Sequence, residues 1–236
     1  MPSVVLVHGG CAGPWEWDRV RPLLEAEGLD VHVPALPSVG YAAPLGDMYA
    51  DALTVRGLLD DLGPPVVLCG HSYGGVVITE ASVGPHSSVA HLVYLAAFMP
   101  AEGETFMSLM DAHPGALTED GSVEFSDDGT YAFNPDTQVE AKVSRGWSTE
   151  EASHVAALHR RQSMLVAVQA PSANTWERLP TTYVRCARDE LIPSSMADVF
   201  AGRATEVIEI DTDHDPEWTM PEEVASMLIE TVRRYR

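Results

Sequence analysis

Pro65-Val66-Val67-Leu68-Cys69-Gly70-His71-Ser72-Tyr73-Gly74-Gly75-Val76-Val77-Ile78 decides how this chain is read. The run from Pro65 to Cys69 is almost wholly apolar, as in a strand buried on both faces. Gly70 to Gly74 then spell G-x-S-x-G, and a helical segment over about 74–83 follows. A serine at so sharp a strand-to-helix turn is held in a strained backbone conformation, with its hydroxyl projecting above the sheet. Gly70 and Gly74 remove side chains that would collide across the turn. The start of the helix presents main-chain N–H groups and a positive dipole end where an oxyanion would develop. Ser72 is therefore the expected nucleophile, and Tyr73, the next residue, an expected oxyanion donor. The five-residue pattern alone also occurs in plain turns; the strand before it and the helix after it give it meaning.

The same logic applies to the first strand, 3–7, which runs into His8-Gly9-Gly10-Cys11. Small residues there let the backbone bend toward the nucleophile and offer a second oxyanion N–H, from Gly10 or Cys11. A serine hydroxyl needs a base, and the base needs an orienting carboxylate, in the chain order serine, acid, histidine. Among the late histidines, His154 and His159 fall in a helical run near 149–169 and are expected at the surface. His214 instead follows the strand 205–210, in the loop Asp211-Thr212-Asp213-His214-Asp215-Pro216. Loops at the carboxyl ends of strands are where the sites of such sheets gather, so His214 is the expected base. Asp189 follows the strand Thr181–Cys186 and is the expected acid, with Glu190 its main rival. Asp211, Asp213 and Asp215 stand too near His214 in sequence to reach its Nδ1 comfortably.

Working outward, strand candidates at 3–7, 29–34, 65–70, 89–96, 181–187 and 205–210 alternate with amphipathic helices. Ala52, Val55, Leu59 and Leu62 share one helical stripe in 47–62, and Val224, Met227, Leu228, Val232 and Tyr235 another near the C-terminus. Pro221, Glu222 and Glu223 mark the first turn of that last helix. The pattern predicts a mostly parallel sheet with helices on both faces, in one domain spanning 1–236. The stretch from about 100 to 175 breaks the rhythm with turn signals at His113-Pro114-Gly115, Asp127-Asp128-Gly129 and Asn134-Pro135. It shows no sheet-core strand and is expected to be a small lid inserted over one edge of the sheet.

Composition sets the outer limits. The 236 residues are 45% hydrophobic and 21% charged, with a formal net charge of −21. Such an acidic surface disfavours nucleic acid and anionic membranes as partners. Cys11, Cys69 and Cys186 form no C-x-x-C pair and suit neither a disulfide framework nor a zinc site. No membrane span or leader pattern is evident, so a cytoplasmic enzyme is expected, without metal or organic cofactor. The oligomeric state stays open between monomer and homodimer.

With these residues in place, the chain resembles the α/β-hydrolase superfamily. It is most similar to the branch of plant methylesterases and hydroxynitrile lyases with their bacterial esterase relatives. The resemblance is carried by His8-Gly9-Gly10-Cys11-Ala12-Gly13-Pro14-Trp15-Glu16-Trp17, the elbow at 70–75, and Val93-Tyr94-Leu95-Ala96-Ala97-Phe98-Met99-Pro100. Asp189-Glu190-x-Ile192-Pro193 and His214-Asp215-Pro216 complete it. It implies the α/β-hydrolase fold, triad positions for Ser72, Asp189 and His214, and hydrolysis of a small-molecule ester. The lyases carry a lysine after the catalytic histidine and a threonine after the histidine of the first loop. Here Asp215 and Gly9 stand there, and a carboxylate beside His214 is expected to repel departing cyanide. Ester hydrolysis is thus favoured over cyanohydrin cleavage. Two other readings fit the same shell: a ligand receptor without turnover, and non-hydrolytic chemistry such as acyl transfer, cyclisation or carbon–carbon cleavage.

Overall fold

A computed structural model describes residues 2–84, 86–113 and 122–235. Its strands, in chain order, are β1 (Ser3–Val7), β2 (Asp30–His32), β3 (Val39–Gly40), β4 (Val66–His71), β5 (Val89–Leu95), β6 (Val123–Phe125), β7 (Thr130–Phe133), β8 (Arg161–Ser163), β9 (Thr181–Cys186) and β10 (Glu206–Ile210). Six of them form one sheet in the order β10-β9-β5-β4-β1-β2, and every pairing in it is parallel. All residues of β1 and β4 are buried, which explains their unbroken apolar runs. Side chains alternate between faces. Val5, Val7, Val66 and Leu68 pack on the helices Met48–Asp61, Gly74–Ala81 and Ser194–Arg203. Val4, Leu6, Val67 and Cys69 pack on Arg21–Ala26 and Pro221–Arg233.

The helices form where caps and stripes agree. Asp47 accepts a hydrogen bond from Ala50 N at 2.9 Å and opens the helix Met48–Asp61. Ala52, Val55 and Leu59 of that helix are buried as its stripe predicts; replacing Leu59 by Ala would cost about 2–5 kcal/mol. Pro221 opens the last helix, with Glu222 and Glu223 in its first turn.

The chain leaves β1 toward β2, then returns to lay β4 on the other side of β1. That reversal makes the carboxyl ends of β1 and β4 a switch point of the sheet, the kind of place where open sheets bind ligands. Both the His8–Cys11 loop and Ser72 emerge there.

The stretch 100–175 adds no strand to the main sheet among the described residues, as expected. It does contain strands, however: β6, β7 and β8 form a small antiparallel sheet with β3. The helix anticipated near 149–169 is broken accordingly into Thr149–Leu158, the strand β8 and a short helix Leu165–Val168. Asp127-Asp128-Gly129 turns between β6 and β7, with Gly129 at φ +77°. Asn134 caps the helix Pro135–Ser144 by accepting from Asp136 N and Thr137 N. Pro114 and Gly115 of the earlier expected turn lie outside the described residues. No helix among those described is long and apolar enough to cross a membrane.

Candidate active site

Ser72 sits between β4 and the helix Gly74–Ala81 at φ +50°, in the left-handed region that side chains rarely adopt. The turn is held by Phe98 N and Gly75 N, which both donate to Ser72 O at 3.1 Å. A Cβ on Gly70 would lie 2.5 Å from the Gly74 carbonyl, and one on Gly74 2.5 Å from Val7 O. No side chain fits at either position, so the two glycines are what allow the elbow to close.

His214 Nε2 lies 2.9 Å from Ser72 Oγ, and His214 Nδ1 lies 2.8 Å from Asp189 Oδ2. Asp189 Oδ1 accepts from Leu191 N at 2.8 Å and Ile192 N at 3.0 Å. The carboxylate is thus fixed by its own loop and can only accept from the imidazole. Nδ1 must then carry the proton, leaving Nε2 to accept from the serine hydroxyl. Each rival acid is engaged elsewhere. Glu190 is 68% exposed and pairs with Arg145 at 2.7 Å, Asp211 pairs with Arg188 at the surface, and Asp213 accepts from Trp147 Nε1 at 2.7 Å. Asp215 is bonded to Lys142, whose ammonium also lies 4.4 Å from the Trp147 ring.

Of the three expected oxyanion donors, the structure separates one. Cys11 N–H is donated to Gln162 Oε1 at 3.0 Å, and Cys11, at φ +57°, is held further by Arg160 N on its carbonyl at 2.8 Å. Gly10 N and Tyr73 N find no acceptor among the described residues. Burial pushes the Cys11 thiol up to about 12, so it is no nucleophile at neutral pH.

Next to Ser72 and His214 lies a buried cluster that no motif announced. Glu16 accepts from Gly9 N with Oε1 at 3.0 Å and Oε2 at 2.9 Å. His71 bonds Glu16 Oε1 through Nδ1 at 2.7 Å and the main-chain oxygen of His214 through Nε2 at 2.8 Å. Glu217 Oε2 stands 3.7 Å from His71 Nε2. Burial opposes charge on His71, but Glu217 and Glu16 outweigh it and raise its pKa to about 10. The three groups lie close enough to share a cation; with both ring nitrogens donating, however, His71 has no lone pair for a metal. His8 is different: Leu36 N donates to its Nε2 at 3.2 Å, and burial lowers its pKa, so it stays neutral.

His159 is half-buried rather than on the surface as expected, its ring 5.4 Å from both Trp15 and Phe133. Burial, then Lys142, lowers its pKa to about 4. His154 is exposed, as expected. A half-open groove of about 940 Å³ runs past Arg19, Arg145, Trp147, Asp189 and Trp218. It touches neither Ser72 nor His214.

A family model described as "Alpha/beta hydrolase family" matches residues 4–227. Methylesterase 17 of Arabidopsis thaliana is 26% identical over 97% of this chain and 90% of its own. Salicylic acid-binding protein 2 of Nicotiana tabacum is 27% identical over 98% of this chain and 97% of its own. The crystal structure of polyneuridine aldehyde esterase superposes with a TM-score of 0.82 at 22% identity, covering 98% of this chain and 99% of that one. The chain belongs to the alpha/beta hydrolase family, and plant methylesterases are among the proteins it is similar to.

Proposed function

We propose that this alpha/beta hydrolase cleaves small carboxylic esters through an acyl-enzyme, with Ser72 as nucleophile, His214 as base and Asp189 as orienting acid. The observation that carries the reading is the unbroken chain Ser72 Oγ, His214 Nε2, His214 Nδ1, Asp189 Oδ2, at 2.9 and 2.8 Å. His214 takes the hydroxyl proton as Oγ attacks the ester carbonyl. The N–H groups of Gly10 and Tyr73 receive the oxyanion, a contribution of about 2.7–4 kcal/mol per donor in comparable sites. The imidazolium, steadied by Asp189, then protonates the departing alkoxide, and the alcohol leaves. Water repeats the sequence on the acyl-serine and returns the acid and free Ser72.

The names of the methylesterase relatives support ester hydrolysis. The lyase alternative is disfavoured on steric grounds. A Cβ at Gly9 would stand 3.1 Å from His71 Nδ1, 3.2 Å from Ser72 Cβ and 3.3 Å from Glu16 Oε2, so the Glu16–His71 pair fills the space a threonine would need. Asp215 does not repel a departing cyanide as expected, because Lys142 neutralises it. Purified protein should turn over p-nitrophenyl acetate or butyrate, and Ser72→Ala should abolish it. Tight binding of an aryl acid with no turnover of any ester would favour the receptor reading, in line with the relative named for binding salicylic acid.

A further inference from the structure

We propose that His71 is a positioning residue for this reaction, joining the oxyanion loop, the nucleophile and the base into one unit through Glu16 and the main chain of His214. The proposal rests on the esterase reading above. The three loops leave the ends of β1, β4 and β10 and have no covalent reason to keep register. A misplacement of about 1 Å between reacting groups can cost roughly 10²-fold in rate.

The hydrogen bonds supply the missing link. On one side of His71, Glu16 holds Gly9 N with both oxygens, immediately before the donor Gly10. On the other, His71 Nε2 donates to the carbonyl oxygen of His214 itself. His71 is bonded in sequence to Ser72, so any shift of one loop must break a buried bond to the others. The carboxylate accepts from two partners and the carbonyl can only accept, so both ring nitrogens donate and the ring is an imidazolium. Glu217 is fully buried, neither of its oxygens has a hydrogen-bond partner among the described residues, and burial pushes its carboxyl well above the ordinary range. The Glu16 carboxylate and the His71 imidazolium thus form a buried, hydrogen-bonded pair of opposite charges. A neutral ring would turn one bare nitrogen toward an acceptor and lose half the link.

The groups facing His71 are Glu16, Glu217, Asp215, His8 and the ring of His214, 5.0 Å away. Two measurements test the proposal. In the wild-type chain labelled with ¹⁵N-histidine, NMR at about pH 7–9 should show both His71 ring nitrogens protonated, with slowly exchanging N–H protons. A bare nitrogen at His71 overturns the proposal whether or not esters are cleaved. In Glu16→Gln, which keeps the size but removes the charge, kcat on p-nitrophenyl butyrate should fall about 10–100-fold with KM within about threefold. His71 should then titrate inside the assay range and add a new limb to the pH profile of kcat. An unchanged kcat and pH profile in a folded Glu16→Gln, beside an active wild type, sinks the positioning role and leaves the esterase reading standing. If Glu16→Gln does not fold, the wild-type NMR result decides.

Discussion

Cys11 N–H donates to Gln162 Oε1 at 3.0 Å across 151 positions of sequence, joining the loop that follows β1 to the strand β8. Gln162 is fully buried; its Oε1 also accepts from Tyr131 OH at 2.6 Å, while its Nε2 donates to Ser38 Oγ at 3.1 Å. The small antiparallel sheet therefore helps to shape the loop that carries Gly10. Gln162→Leu should leave Cys11 N–H unsatisfied, costing about 1–3 kcal/mol of stability. The measurements are a denaturant midpoint and kcat for a p-nitrophenyl ester, and both should fall. A variant with unchanged stability and kcat would show that the small sheet has no part in shaping that loop.

Asp189 and Glu190 are neighbours in sequence, but the fold sends one inward and the other to solvent. Asp189→Asn should lower kcat by about 10⁴-fold, on the precedent of this role in a serine protease, with the fold kept. Glu190→Gln removes only an exposed pair with Arg145 and should change kcat little. Steady-state kinetics of the two variants side by side is the check; the reverse ranking would move the acid by one residue.

These residues also show what the sequence could disclose. β1 and the start of β4 were legible because a strand buried on both faces reads as an apolar run, and the elbow because only glycine fits at 70 and 74. β8 was not, since Arg161-Gln162-Ser163 has no apolar pattern and becomes a strand only by pairing with β3 and β7. Glu16 and His71 were missed for a related reason. A buried polar residue is explained by its partners, and these lie 55 and 143 positions apart in the chain. The one available signal was a glutamate between Trp15 and Trp17, where an apolar residue would be at home.

Asp51 gives the account a pH-dependent test. It is fully buried, accepting from Tyr73 OH at 2.7 Å and Ser38 N at 2.8 Å, and burial pushes its carboxyl up to about 6 from an ordinary 3.8. Between those values the native state keeps a proton that the unfolded chain has released. Stability therefore falls as pH rises through that window and stays lower above it. Asp51→Asn does not titrate. Its Tm should exceed that of the wild type at about pH 8, by the equivalent of at most about 3 kcal/mol, and the gap should close below about pH 4. A gap that widens toward acid would contradict the assignment.

Cyanohydrin cleavage should be absent. With Gly9 hemmed in by His71 and Glu16, and Lys142 tied to Asp215, neither group the lyases use is free in its place. Mandelonitrile and p-nitrophenyl acetate assayed at matched pH should give acetate release without cyanide. Cyanide above background, with esters untouched, would reverse the reading.

The central claim is that Ser72 is the covalent nucleophile, and active-site labelling tests it most directly. A fluorophosphonate probe needs an activated serine and a formed oxyanion hole, the two features that the His214 contact and the Gly10 and Tyr73 N–H groups are proposed to provide. Mass spectrometry of the labelled, digested protein should place the phosphonyl group on Ser72, with labelling lost in Ser72→Ala and strongly slowed in His214→Ala. Label on another residue, or label that survives Ser72→Ala, would contradict the account.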